Sequence, residues 1–127
     1  MKKIIIDTNG FLRLFLNDIP DQANKIESLI VQAKKGTLHI YIPQIIVFEI
    51  YFALTKYYKT TKEDCIDKLK SIVSADYIEV ESKDIFISTL TLYSSASVSF
   101  VDCFLLAKTQ AEQAELFTFD RKLKRVK

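Results

Sequence analysis

The sequence predicts a parallel α/β sandwich. Two observations carry this. Short apolar segments alternate with longer helix-periodic ones along the chain, and the first of them, Ile4, Ile5 and Ile6, is an all-apolar β-branched run of the kind buried on both faces of a sheet. Short strands separated by helices are joined most simply by parallel crossovers. The composition agrees, because 49% hydrophobic and 27% charged residues with only 2 Gly and 2 Pro describe an ordinary folded domain. The length of 127 residues is that of one domain, taken as residues 1–127.

The Ile4–Ile6 strand is expected at the centre of the sheet. After Asp7-Thr8-Asn9-Gly10, the residues Phe11, Leu12, Leu14, Phe15 and Leu16 read as a helix ending near Asn17-Asp18. Ile26, Leu29, Ile30 and Ala33 recur at helical spacing, with Lys34 and Lys35 in the last turn and Gly36 placed to end the helix. Leu38–Ile42 reads as a second strand stopped by Pro43, which can open the next helix as its first residue, and that helix runs to about Tyr58. A helix capped by Thr60 or Thr61 reaches about Ser74, and Tyr77–Val80 is a third strand. Ser82 caps a helix to about Ser94, and Ser99 caps another to about Gln113. Leu116–Thr118 reads as a last buried strand, and Asp120 opens a short terminal helix. Ligands of open parallel sheets sit beyond the carboxyl ends of the strands, where Asp7 and Asp120 are expected.

Several functions are excluded by inventory. His39 is the only histidine and lies inside a predicted strand with no nucleophile signal near it, so histidine-based hydrolysis, two-histidine RNA cleavage and His-rich zinc sites are set aside. No phosphate-cradling glycine loop occurs. Cys65 and Cys103 form no CxxC pair and read as small buried hydrophobes. The apolar run after Lys2 and Lys3 is too short for a secretory signal, and nothing approaches the roughly 20 apolar residues of a membrane span, so a cytoplasmic protein is expected. A net charge of +2 says little about partners. Arg121, Lys122, Lys124, Arg125 and Lys127 nevertheless form a basic terminus able to steer a phosphate backbone, or simply a solvated helix.

What remains is carboxylates. Asp7, Glu49, Asp102 and Asp120 each stand in apolar sequence, where an unpaired carboxylate costs several kcal/mol unless a base, strong hydrogen bonds or a metal ion compensates. Asp7, Asp102 and Asp120 also occupy positions where helix-capping acids belong. Glu49 lies mid-helix, where the structural alternative is a buried salt bridge to Arg13 or Lys56. Together the four suggest hard oxygen ligands for Mg²⁺ or Mn²⁺, which activates water and stabilises a phosphodiester under attack. Arg13 and Arg121 are the residues expected to bind substrate.

The strand ending in Ile6-Asp7-Thr8-Asn9, the apolar helix carrying Glu49, Ser99-Phe100-Val101-Asp102 and the closing Phe117-Thr118-Phe119-Asp120 resemble, in this order, PIN-domain ribonucleases, closest to VapC-like toxins of toxin–antitoxin pairs. The resemblance runs from Ile4 to Asp120. It implies a three-layer α/β/α sandwich with a short central parallel sheet, and Asp7, Glu49, Asp102 and Asp120 gathered around Mg²⁺ or Mn²⁺ for RNA cleavage by an activated water. It also implies that Thr8, Asn9, Ser99 and Thr118 orient the acids or their waters, that the chain forms a homodimer, and that a small antitoxin masks the site. Many family members carry a glycine before the last strand, where this chain has Glu112-Gln113-Ala114-Glu115. Two other readings compete. One is a non-catalytic PIN-like module that binds RNA or protein. The other is a Mg²⁺-dependent phosphohydrolase of the haloacid-dehalogenase type, which needs an acid where Asn9 stands.

Overall fold

The computed structural model describes residues 1–126, and Lys127 of the basic terminus lies outside them. They form two compact units, the first Met1–Glu81 and the second beginning at Ser82.

The first unit holds a parallel sheet of β1 (Lys2–Ile5), β2 (Leu38–Ile42) and β3 (Ile78–Val80) in the order β1-β2-β3. Its helices are α1 (Thr8–Leu16), α2 (Pro20–Lys34), α3 (Gln44–Phe52) and α4 (Lys62–Val73). The alternation of β2 assigns its faces: Leu38, Ile40 and Ile42 are buried, while His39 and Tyr41 point the other way, His39 Nε2 meeting Glu79 Oε1 at 2.7 Å. The core continues into Phe11, Val47, Ile50, Leu54, Leu69 and Val73, all fully buried. Chain punctuation follows local chemistry. Pro20 opens α2, and Gly36 just past its end takes φ +80°, which a side chain would resist. Pro43 stands one residue earlier than expected, as the cap of α3. It has no side-chain acceptor, and Glu81 Oε1 supplies one, accepting from Gln44 N at 2.9 Å.

Two expectations about the first unit change. β1 is an edge strand, not the centre of the sheet, and Ile5 is 60% exposed. Register explains the exposure: Ile4 lies beside buried Ile40, so Ile5 falls beside Tyr41 on the polar face. The helix after Pro43 does reach Tyr57, but its last part, Ala53–Tyr57, is a π-helical turn in which Tyr58 N donates to Ala53 O at 3.2 Å.

The second unit contains α5 (Lys83–Ser95), α6 (Phe100–Ala111) and α7 (Arg121–Arg125). Phe86 anchors it, 6.5 Å from Phe100 and 5.0 Å from Phe104 between ring centroids, and Val98, Cys103 and Leu123 form a second buried cluster. Ser99 caps α6 as expected, accepting from Asp102 N at 3.1 Å. Ser82 precedes α5 in a left-handed conformation, and its side chain makes no capping bond. The expected strand Leu116–Thr118 is absent among the described residues. Leu116 is half-buried against the Val98 cluster, but Phe117 and Phe119 are 82% and 85% exposed, so the segment has the alternation of a strand without a strand's hydrogen bonds. Asp120 therefore follows no strand. Gln113, in the turn after α6, holds φ +55°.

Candidate functional site

Asp7 lies just past the carboxyl end of β1 and caps α1, Oδ1 accepting from Gly10 N at 2.9 Å. Gly10 is small for a steric reason: a Cβ there would stand 2.5 Å from Ile6 Cγ2 and 3.5 Å from Asp7 Oδ1. Glu49 projects from α3, and Oε1 accepts a 2.8 Å hydrogen bond from Thr8 Oγ1. These residues, with Asn9, Phe52, Ala53 and Tyr57, line an open cleft of about 510 Å³. Asp7 and Asn9 also face a smaller depression of about 280 Å³ with Gly10, Arg13, Gln22 and Lys25.

The acids are less buried than their apolar neighbours in sequence imply. Asp7, Glu49 and Asp120 are exposed and Asp102 is half-buried. Sequence neighbours predict burial poorly here because each acid sits at a helix end or on the open face of its helix. The buried salt bridge considered for Glu49 does not form. Arg13 pairs with Asp18 at 3.3 Å and donates to Tyr58 Oη at 3.3 Å, while Lys56 Nζ lies over the Phe52 ring.

In the second unit, Asp102 is the third residue of α6, and its backbone N–H is taken up by Ser99. Asp120 caps α7, Oδ1 accepting from Lys122 N at 2.9 Å and Leu123 N at 3.1 Å, and Thr118 Oγ1 accepts from Asp120 N at 3.0 Å. Arg121 is the exposed first residue of α7. The capping reading thus holds for Asp7 and Asp120. It does not compete with a ligand role, because a cap occupies one carboxylate oxygen and leaves the other.

The chain as a whole has counterparts among known proteins. The profile of the PIN domain family matches residues 4–127, nearly the whole chain and both units. This chain belongs to the PIN domain family. A VapC ribonuclease of Aquifex aeolicus (strain VF5) is 24% identical over 123 residues, covering 96% of this chain and 90% of that protein. The PIN domain described here is therefore VapC-like.

Two kinds of residue, one in the cleft of this PIN domain and one in the smaller depression beside it, escaped the sequence reading. Phe52 and Tyr57 carry no site signal in sequence, because apolar residues crowd the whole Glu49 helix and no periodicity separates its faces. Gln22 and Lys25 line the smaller depression with Asp7, and nothing in their spacing announces that α2 passes there.

The cleft's donor set suits a hard divalent cation. Within either unit, among the described residues, no three Asp, Glu, His or Cys side chains form a ready metal cage. Mg²⁺ does not require one, since it typically takes one or two carboxylates and keeps several waters. Asp7 and Glu49 supply two carboxylates in one open cleft.

Proposed function

We propose that this PIN domain is a divalent-metal-dependent endoribonuclease and the toxin of a toxin–antitoxin pair. The observation that carries the reading is the placing of Asp7 and Glu49 in one cleft, with Thr8 bonded to the second acid and Gly10 N–H to the first. The likeness to a VapC ribonuclease supports RNA as the substrate and a small antitoxin as partner.

In this reading Asp7 and Glu49 hold Mg²⁺ or Mn²⁺, and Asp102 and Asp120 join them on the strength of the family match, which spans all four. The ion, when bound, supplies an acidified water and charge stabilisation at the phosphodiester. The chain itself supplies orientation. Thr8 fixes one oxygen of Glu49 and leaves the other to a ligand, and the Gly10 N–H does the same for Asp7. Asn9 offers the cleft a neutral amide. Ser99 and Thr118 fix the backbone at Asp102 and Asp120. Arg13, held by Asp18 and Tyr58 beside the second depression, and exposed Arg121 are the phosphate-binding cations.

The 1–127 chain acts as one nuclease domain, as the match across both units supports. Among the described residues no helix is long and apolar enough to cross a membrane, and the cytoplasm is the proposed place of action, where RNA and antitoxin are met. Homodimerisation belongs to the same reading. The exposed Phe117 and Phe119, in ring contact at 5.2 Å, offer it an apolar surface, and sedimentation of wild type beside Phe117→Ser/Phe119→Ser tests it. A dimer unaffected by the double substitution removes that surface from the account.

The deciding experiment is cleavage of RNA with Mg²⁺ or Mn²⁺ by wild type, Asp7→Asn and Asp102→Asn. Cleavage in wild type that is lost in EDTA and in both variants is expected. Cleavage that survives EDTA, or both substitutions, overturns the reading.

A further inference from the structure

Part of the lining of the cleft is aromatic, and a local change of helix type puts it there. Tyr57 is the eighth residue after Glu49. In a continuous α-helix each residue turns about 100°, so Tyr57 would lie about 80° away from the Glu49 face. The π-helical turn Ala53–Tyr57 takes up one extra residue, which draws Tyr57 back to within about 20° of that face. Glu49, Phe52, Ala53 and Tyr57 consequently line the same cleft. Tyr57 is 84% exposed and Phe52 38% exposed, and Lys56 Nζ stands 5.2 Å from the Phe52 ring centroid.

An open cleft that combines two carboxylates with a nearly bare tyrosine and a partly bare phenylalanine is unlike the apolar pocket that would hold a small hydrophobic ligand. We propose that it receives one unpaired nucleotide of a single RNA strand, the base stacking on Tyr57 beside Phe52 and the adjoining phosphate lying toward Asp7 and Glu49. Lys56 adds a positive charge for the backbone. A base inside a duplex has both faces covered by its neighbours and cannot stack on Tyr57, so the cleft selects single strands and loops. Stacking needs only a π-face, so it selects little among the four bases. Tyr57 is then a substrate-positioning residue. The inference rests on the nuclease reading for its choice of RNA but concerns binding, which is measured apart from cleavage.

The test is fluorescence anisotropy in EDTA and low salt, with a labelled 12-nucleotide oligouridylate and an RNA duplex of equal length, on wild type, Tyr57→Ala and Tyr57→Trp. Melting temperatures serve as the control for folding. Tyr57→Ala is expected to weaken single-strand binding about five- to hundredfold, the worth of one stacked base, with an unchanged melting temperature. Tyr57→Trp is expected to restore it, and duplex binding should not respond to either change. No binding by wild type, or equal single-strand binding by Tyr57→Ala, overturns the proposal. So does a Tyr57→Ala variant whose only change is in self-association, which would make this face a protein contact. If wild type fails to cleave RNA while the Tyr57 effect on binding persists, the nuclease reading fails and the stacking site does not.

Discussion

Thr8 Oγ1 and Glu49 Oε1 stand 2.8 Å apart across 41 residues of sequence, so the first turn of α1 holds the carboxylate offered by α3. Both partners reach solvent, and Thr8→Val, close to isosteric, should cost under about 1 kcal/mol of stability. The freed Glu49 should lower metal-dependent cleavage about ten- to hundredfold, the usual penalty for removing a group that orients a ligand. Thr8→Ser should recover most of it. Cleavage rates beside urea midpoints check this, and a Thr8→Val enzyme of wild-type activity would release Thr8 from the site.

Gly10 tests the packing beneath Asp7. Replacing glycine by alanine inside a helix ordinarily gains about 1 kcal/mol. Here the new methyl would meet Ile6 Cγ2 at 2.5 Å, and Ile6 is β-branched and buried, so it has no room to swing aside. Overpacking costs about 1–3 kcal/mol and should outweigh the helical gain. Gly10→Ala is expected to be less stable than wild type in urea unfolding and less active as well, since the same Cβ approaches Asp7 Oδ1.

The local features that fix Asp7 were legible in sequence, because they need only short-range signals: a β-branched run, a capping acid and a helix with a periodic face. The edge position of β1 was not, since a triple isoleucine reads as doubly buried and only the register with β2 shows Ile5 turned outward beside Tyr41. The unpaired segment around Phe117 was misread for a related reason. Alternation reports a strand's shape, whereas a strand also needs a neighbour to bond. The cleft's aromatic wall depends on a π-helical turn that leaves no mark in the pattern of Leu54, Tyr57 and Tyr58.

Cys65 gives a pH signature. Burial, with the Asp64 carboxylate adding to it and Lys68 opposing, pushes the thiol up from its ordinary 9.0 to about 11. The folded state therefore holds this proton more tightly than the unfolded one. Its contribution to stability is intact below about pH 8.5 and is lost as the pH rises toward 11. Between pH 8.5 and 10.5 wild type should lose more stability in urea than Cys65→Ala does. At pH 8, iodoacetamide should leave Cys65 of the folded protein unmodified and label it once denatured. Rapid labelling of the native thiol would contradict its fully buried position.

Gln113 carries a strain that glycine would relieve. A left-handed backbone costs a residue with a side chain roughly 1–2 kcal/mol, while glycine's greater freedom when unfolded costs about 0.4–1 kcal/mol. Gln113→Gly should therefore stabilise the protein by about 0.5 kcal/mol, read as a higher urea midpoint at unchanged slope. A loss would mean that the Gln113 side chain makes a contact worth more than the strain.

Asp7 and Asp120 each cap a helix and each is proposed for the chemistry, and asparagine separates the two roles because it caps nearly as well as aspartate yet carries no charge. Asp7→Asn should keep its stability and lose cleavage by more than about a hundredfold, since groups that merely orient a ligand cost ten- to hundredfold. Asp7→Ala should lose both, with about 1 kcal/mol gone from the cap. The same pair at Asp120 decides its standing independently. If Asp120→Asn cleaves as wild type does while Asp120→Ala is only less stable, Asp120 is a cap for α7 and the reaction runs on the remaining acids. If Asp120→Asn melts like wild type but cleaves slowly, the charge itself is needed, and the cap serves to hold that carboxylate in place.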